Sequence, residues 1–403
     1  MNSEPTSRRR IVFLANCVYG DHVAGGDIHF FQMAAAAIEA GHQVHFFGGH
    51  ALTKHLSERR IAAEQTCTDA ATLGNIDMGS LRGQLRLFFN YLGRFWHALL
   101  HLSWIRREDT AYAVTDYWFD ALPVILCRAC RKMMILGMDA PTLGEIVRRQ
   151  RPDVPPWRLN SIYYWLSQNL SLRLFRFCRR KRLLYVHPNM KARLRRLGYK
   201  ESELVFVSNG FDLAVLERVP TPRKEFDVMW IGRPHQQKGI EDLLASLLFL
   251  SKCIRDFRAV LVGRLEDLAP RLAELDLTRS VRFTGLVSEP EKFHLFKASR
   301  VLLMPSHYES WGIVVAEALA CGTPVVAYKL DAYPPIFGDL VRYVESFDVA
   351  TFQRAAAEEI QKARAGADKL DAAQLDRFKA VNSWQAAGKR FLNAVEALEH
   401  TLS

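Results

Sequence analysis

Apolar and polar positions alternate along the chain in a pattern that occurs twice. Residues 11–15 (IVFLA) form a short apolar run that ends in a loop carrying Gly20, Gly25 and Gly26. A helix-like apolar stretch from Phe30 to Ala40 follows, then Gly41 and a second run, VHFFGG. Residues 226–231 (FDVMWI) repeat the opening: the run stops at Gly232, a loop leads into GIEDLLASLLFL, and AVLVG comes next. Strand, glycine loop, helix, strand is the βαβ unit of a parallel sheet covered on both faces, whose strands read as continuous apolar runs. Two starts about 215 residues apart predict two Rossmann-like domains in tandem. The linker is expected near 210–225, where Pro220, Thr221 and Pro222 follow the turn Ser208-Asn209-Gly210.

Between the two starts, Leu81, Leu85, Phe88, Leu92, Phe95, Leu99 and Leu102 fall at alternating spacings of four and three, one apolar stripe of a helix. Phe89, Trp96, Leu100 and Trp104 widen the stripe, and Arg82, Arg86 and Arg94 add charge; Gly83 and Gly93 weaken the helix slightly. Two placements suit this pattern: packing on the first sheet, or lying on anionic lipid with aromatics at the headgroup boundary. No apolar run reaches the roughly 18 residues needed to span a bilayer.

Composition refines this picture through charge. The 403 residues are 49% hydrophobic and 24% charged, which excludes a disordered chain, a collagen-like repeat and a disulfide-stapled mini-protein. The formal net charge is +11, and all of it lies in residues 1–220; residues 221–403 are neutral overall. No Asp or Glu occurs between Asp153 and Glu201, where twelve Lys or Arg do, nor between Asp77 and Glu108, where five Arg do. Such an excess suits nucleic acid, an anionic membrane surface or anionic substrates. Seven cysteines at scattered spacings suggest a reducing compartment, and the lone Cys127-x-x-Cys130 lacks the partners of a zinc site. The start, Ser7-Arg8-Arg9-Arg10 before an apolar run, imitates a twin-arginine signal, but the run is short and leads into Gly20-Asp21-His22, so a first buried strand is expected.

Three segments carry candidate chemistry. Val23-Ala24-Gly25-Gly26-Asp27 follows the first strand and starts the first helix, where backbone N–H groups can approach a phosphate; a plain tight turn fits equally. In Ile231-Gly232-Arg233-Pro234-His235-Gln236-Gln237-Lys238-Gly239 an Arg fork and a mobile Lys charge flank the loop that ends a strand. That pair suits the two phosphates of a diphosphate leaving group, or is simply two solvated cations. In His307-Tyr308-Glu309-Ser310-Trp311-Gly312-Ile313-Val314-Val315-Ala316-Glu317, Gly312 suggests that Glu309 lies on a loop and Glu317 on the helix behind it. Carboxylates there can accept hydrogen bonds from sugar and ribose hydroxyls.

Glu309 and Glu317 in ESWGIVVAEALACGTPVVA form an EX7E motif, and the sequence closely resembles the retaining GT-B glycosyltransferases of family 4. The likeness extends over nearly the whole chain: the Gly25-Gly26 loop, Ser208-Asn209-Gly210-Phe211-Asp212, Gly232-Arg233 to Lys238-Gly239, FTGLVSEPE at 283–291, and Ser383-Trp384. It implies an α/β GT-B fold of two Rossmann-like domains facing across a cleft. The N-terminal, acceptor-side domain would take 1–215, the nucleotide-sugar domain 216–384, and a helix over 385–403 would cross back to the first domain. By the same resemblance, Arg233 and Lys238 bind the donor diphosphate, Glu317 the ribose and Glu309 the transferred sugar. Backbone amides of Trp311, Gly312 and Ile313 contact sugar or phosphate, and Gly25 and Gly26 close the phosphate site. Relatives often carry a His after a mid-domain strand; here Ala113-Val114-Thr115-Asp116-Tyr117-Trp118 has none, and Asp116 is the candidate for orienting the acceptor. Val262-Gly263-Arg264-Leu265 departs from the glycine-rich turn beside the base, which leaves uridine and guanosine both open.

The expected activity is a retaining, metal-independent transfer of a hexose-type sugar from a UDP- or GDP-sugar, with no separate cofactor and no Asp-x-Asp metal pair in the chain. The basic, aromatic first domain suggests a lipid-linked saccharide acceptor, as in bacterial surface-polysaccharide assembly, met at an anionic membrane surface on the cytoplasmic side. The motivating residues are Trp157, Tyr163, Tyr164 and Trp165, the run Arg179-Arg180-Lys181-Arg182, and the cluster Lys191–Arg196. Alternatives are a nucleotide-sugar epimerase on the same fold and a basic nucleic-acid-binding or scaffold protein. No recognition-helix, RNA-sheet or zinc-finger signature supports the last.

Overall fold

The computed structural model describes residues 8–20, 25–69, 80–148, 158–367 and 370–399, with the backbone alone for 158–160. Trp157, Val23 and Ala24 lie outside the described residues. The chain divides into two compact units. One takes Met1–Val147, Pro156–Ser208 and Ala387–Ser403; the other takes Arg148–Pro155 and Asn209–Ala386.

The first unit holds a seven-stranded sheet in the order β3-β2-β1-β4-β5-β6-β7. Its strands are β1 (Arg10–Leu14), β2 (Gln43–Gly48), β3 (Glu64–Cys67), β4 (Thr110–Ala113), β5 (Arg131–Leu136), β6 (Arg180–Tyr185) and β7 (Leu204–Phe206). Every pairing is parallel. Ile11, Val12, Phe13 and Leu14 are wholly buried, which is why an unbroken apolar run becomes a central strand.

The second unit repeats the plan with six strands in the order β10-β9-β8-β11-β12-β13. They are β8 (Phe226–Ile231), β9 (Ala259–Val262), β10 (Val281–Phe283), β11 (Ser299–Met304), β12 (Val325–Tyr328) and β13 (Val341–Val344), again all parallel. A continuous core joins Val228, Trp230, Leu243, Leu261 and Leu303. In both sheets the first strand lies between the second and the fourth, so the winding direction reverses at that gap. Ligand crevices of doubly wound sheets open at the carboxyl ends of the strands flanking such a reversal.

The helix Leu81–Leu100 buries its apolar stripe only in part: Leu92, Phe95 and Leu99 are half-buried, whereas Leu81 is 61% exposed, and of the residues that widen the stripe Phe89 is 63% exposed, Trp96 57% and Leu100 75%. The line turned inward is Leu87, Arg94 and Ala98. Arg94 is wholly buried; it pairs with Asp69 at 2.7 Å and donates to the carbonyls of Asn16 (2.8 Å) and Val18. Those polar partners on the inner side hold the helix with its apolar face outward.

Part of the basic run 179–182 is tied into the sheet, while Arg179 is exposed. Residues 180–182 belong to β6, Lys181 is buried against Glu203 at 2.7 Å, and Arg182 donates to the Ala397 carbonyl at 2.9 Å. Of the next cluster, Lys191 pairs with Glu201 and Arg193 with Asp139.

Candidate active site

At the winding reversal of the second unit, β8 ends at Ile231 and β11 at Met304. The loops leaving those ends carry the residues singled out from the sequence. After β8 the chain runs through Gly232 and Arg233 into a single 3-10 turn, Gln236–Lys238, and then Gly239. Gly239 has φ +63° and ψ +43°, and a Cβ there would sit 1.9 Å from the Pro305 carbonyl oxygen. Only glycine permits that approach, which lays the 233–239 loop against the one leaving β11.

Backbone and side-chain bonds lock these two loops together. The His307 amide donates to the Gln237 carbonyl at 2.8 Å, and Gln237 Nε2 donates to the Tyr308 carbonyl at 3.0 Å. Lys238 Nζ pairs with Glu309 Oε1, to which Ser306 Oγ also donates at 3.1 Å. Behind them Asp242 Oδ2 receives the Tyr328 hydroxyl and meets His307 Nε2, each at 2.9 Å. Arg233 is exposed and forms no ion pair among the described residues. Burial, then Arg233 and Lys238, hold the His235 imidazole below its usual range, so at neutral pH this loop's positive charge comes from Arg233 and Lys238.

Gly312, at φ +93°, ends the β11 loop, and a Cβ there would come within 2.7 Å of Tyr333 Cε1. The helix Ile313–Ala320 starts from it with no side-chain cap. Its first amides are therefore unclaimed donors at the positive end of a helix dipole, an arrangement that accepts an anion. Trp311 is buried edge-on to Phe337, and its Nε1 has no partner among the described residues.

One turn into that helix Glu317 is buried, and Lys292 Nζ lies 2.6 Å from its Oε1. Burial raises the Glu317 carboxyl against the pull of Lys292. Burial also works against the Lys292 ammonium, but Glu317 and Glu289 outweigh it and raise that group. Arg233, Lys238, Glu309, Trp311, Gly312, Ile313 and Glu317 thus all belong to the loops and helix beyond β8 and β11. Lys292 was missed from sequence, although it directly follows FTGLVSEPE; a Lys one position beyond a quoted motif was the available signal.

The remaining predicted residues belong to the first unit. Gly25 and Gly26 open the helix Gly25–Glu39 and are exposed; a side chain at Gly26 would meet nothing within 4 Å. Asp116 follows β4, is 3% exposed and accepts from Gln168 Nε2 at 2.9 Å; burial pushes its carboxyl up to about 7. Asp120 was not anticipated. Wholly buried, it accepts from the Asn16 amide and from Thr115 Oγ1, both at 2.7 Å, and burial raises it to about 7 as well. Among the described residues no group of three or more His, Cys, Asp or Glu could hold a metal ion.

Residues 216–371 match the family described as glycosyl transferases group 1. The phosphatidyl-myo-inositol mannosyltransferase of Mycobacterium leprae is 33% identical over 144 residues, 34% of this chain and 38% of that protein. The chain spans about a third of the length of the curated relatives it matches. Among solved structures, sucrose-phosphate synthase from Thermosynechococcus elongatus superposes with a TM-score of 0.67 at 18% identity, covering 98% of this chain and 100% of that one. The Anabaena protein HepE, in complex with UDP and glucose, gives 0.66 at 15% identity, covering 97% and 100%. These likenesses establish the GT-B fold.

Proposed function

We propose that this chain, whose residues 216–371 match the glycosyl transferases group 1 family, is a retaining glycosyltransferase that moves a hexose-type sugar from a UDP- or GDP-sugar. One observation carries the reading. At a single winding reversal, the loops and helix that follow β8 and β11 carry an exposed Arg233 with no ion pair among the described residues, a Lys238–Glu309 pair and the start of the helix at Ile313. Cations and helix amides suit a diphosphate, and the carboxylate suits sugar hydroxyls. Arg233 and Lys238 anchor the diphosphate, Glu309 the sugar and Glu317, steadied by Lys292, the ribose. Gly25 and Gly26 close on the phosphates. As the bond from the anomeric carbon to the diphosphate oxygen breaks, the fixed cations stabilise the charge that develops on that oxygen, so no metal ion is needed. The acceptor hydroxyl attacks from the same face, its oxygen bonds to the anomeric carbon, and its proton passes to the leaving phosphate oxygen. Asp116 orients the acceptor.

The acceptor is a lipid-linked saccharide of bacterial surface-polysaccharide assembly, reached by peripheral attachment at the cytoplasmic membrane face. Support comes from the +11 charge confined to the first half and from the lipid in the name of the mycobacterial relative. A thermal-shift panel of UDP, GDP and their sugars identifies the donor class, since a bound ligand raises the melting temperature. Transfer from that donor must require an added acceptor and survive EDTA. Turnover without acceptor would make the enzyme an epimerase, and full activity of Glu309→Ala would overturn the site.

A further inference from the structure

Leu81, Leu85, Phe88, Phe89, Trp96 and Leu100 of the helix Leu81–Leu100 are exposed, and the structure shows what keeps that side outward. Arg94, on the opposite side, is wholly buried on Asp69, Asn16 and Val18. Turning the helix to bury its leucines would strip a buried guanidinium of its partners and leave its charge uncompensated. Ser80 Oγ caps the helix by accepting from the Gly83 amide at 3.1 Å, and Tyr91 donates to the Cys17 carbonyl at 3.2 Å. The outward face is therefore fixed.

The helix Arg158–Phe175 extends that face. Phe88 meets Tyr163 edge-on at 5.9 Å. From Tyr163, the positions three, seven and eleven residues on lie along one side of a helix, and there Leu166 is 54% exposed, Leu170 48% and Leu174 37%. Two neighbouring helices thus present a shared apolar strip, bordered by exposed Arg82 and Arg86. A soluble monomer seldom exposes so continuous an apolar surface.

We propose that this strip is the surface on which the protein lies in an anionic lipid bilayer, parallel to its plane, with Trp96 and Phe89 at the headgroup boundary and Arg82 and Arg86 on phosphates. The inference rests on the reading of a lipid-linked acceptor. It places the membrane face on these helices rather than on the basic segment 179–196, where Lys181, Lys191 and Arg193 are held by carboxylates of the protein itself. Charge selects lipid over a second copy of the chain. Neither helix contains a single Asp or Glu, so a symmetric dimer would set arginines against arginines with no carboxylate between them. Lipid phosphates supply the missing anions, and no described helix is long and apolar enough to cross the membrane instead.

The test compares the full chain with Phe89→Ser/Trp96→Ser and with Arg82→Gln/Arg86→Gln. Phosphatidylcholine vesicles, with and without phosphatidylglycerol, are co-sedimented with each protein. The native chain should prefer the anionic vesicles. The aromatic pair should lose on the order of tenfold in binding to either kind. The arginine pair should lose roughly fivefold per residue on anionic vesicles alone. All substituted positions are exposed, and unchanged thermal shifts with UDP and GDP check that the fold and donor site survive. Native binding that neither variant reduces would overturn the surface while leaving the membrane reading intact. No native binding at all would overturn both. A native dimer in sedimentation velocity that becomes monomeric in Phe89→Ser/Trp96→Ser would make a second copy the occupant and overturn the proposal.

Discussion

Lys292 Nζ sits 2.6 Å from Glu317 Oε1, joining the helix Glu289–Ala298 to the helix Ile313–Ala320. The Glu317 side chain is 6% exposed, so its charge depends on this partner. Lys292→Met leaves a buried carboxylate unpaired and should destabilise the protein by about 3–5 kcal/mol. In urea denaturation, Lys292→Met/Glu317→Leu should recover most of that loss, because an apolar pair leaves no orphan charge.

Lys238 and Arg233 should act on rate rather than on folding. Removing either leaves the developing charge on the diphosphate less stabilised, and kcat should fall by about 10²–10³ with a near-native melting temperature. Lys238 also pairs with Glu309. Initial rates for Lys238→Ala, Glu309→Ala and the double variant should therefore be less than additive.

Asp116 and Asp120 both carry carboxyls raised to about 7 by burial. A carboxyl raised on folding favours the folded state while it is protonated. Its contribution is complete below the unfolded value near 4 and is lost as pH rises through about 7. Stability measured by urea denaturation should therefore fall between about pH 4 and about pH 7, by up to about 4 kcal/mol per carboxyl, and level off above that. Asp120→Asn should flatten that slope.

The glycines separate backbone necessity from ligand access. Gly239→Ala would put a methyl group 1.9 Å from the Pro305 carbonyl at positive φ and should destabilise by at least about 2 kcal/mol. Gly26 lies in a helix with open space around its Cβ position. Gly26→Ala should raise stability by about 0.4–1 kcal/mol, yet weaken nucleotide-sugar binding if backbone approach to phosphate is its role. Melting temperature and calorimetric affinity, measured on the same variant, read the two effects apart.

Strands such as Ile11–Leu14 and the run Phe226–Ile231 could be read from sequence because burial on both faces requires unbroken apolar residues. The loop cluster could be read too: Gly239, Gly312 and the carboxylates are spaced by the strand-to-helix turn that carries them. The facing of the helix Leu81–Leu100 could not. Its period allows either side to turn inward, and the choice rests on Asp69, remote in sequence, reaching Arg94. The partners inside the run Arg179–Arg182 were hidden for a related reason. A basic segment looks like surface until Glu203 and the Ala397 carbonyl meet it across the sheet. Asp120 stayed hidden because an aspartate in the first turn of a helix is ordinary, and only the Asn16 amide and Thr115 mark it as buried.

The helix Trp384–Ala397 lays Phe391 against Phe13 and Tyr112, with ring centres at 6.1 and 5.3 Å. From Ala387 onward it belongs to the unit that begins the chain. Birth order and completion order therefore differ. The first sheet leaves the ribosome early but waits, with part of its aromatic core uncovered, until the helix Trp384–Ala397 has been translated. A nascent chain stalled before Phe391 would leave Phe13 and Tyr112 without that cover, which makes translation of one late helix a checkpoint for a strand made hundreds of residues earlier.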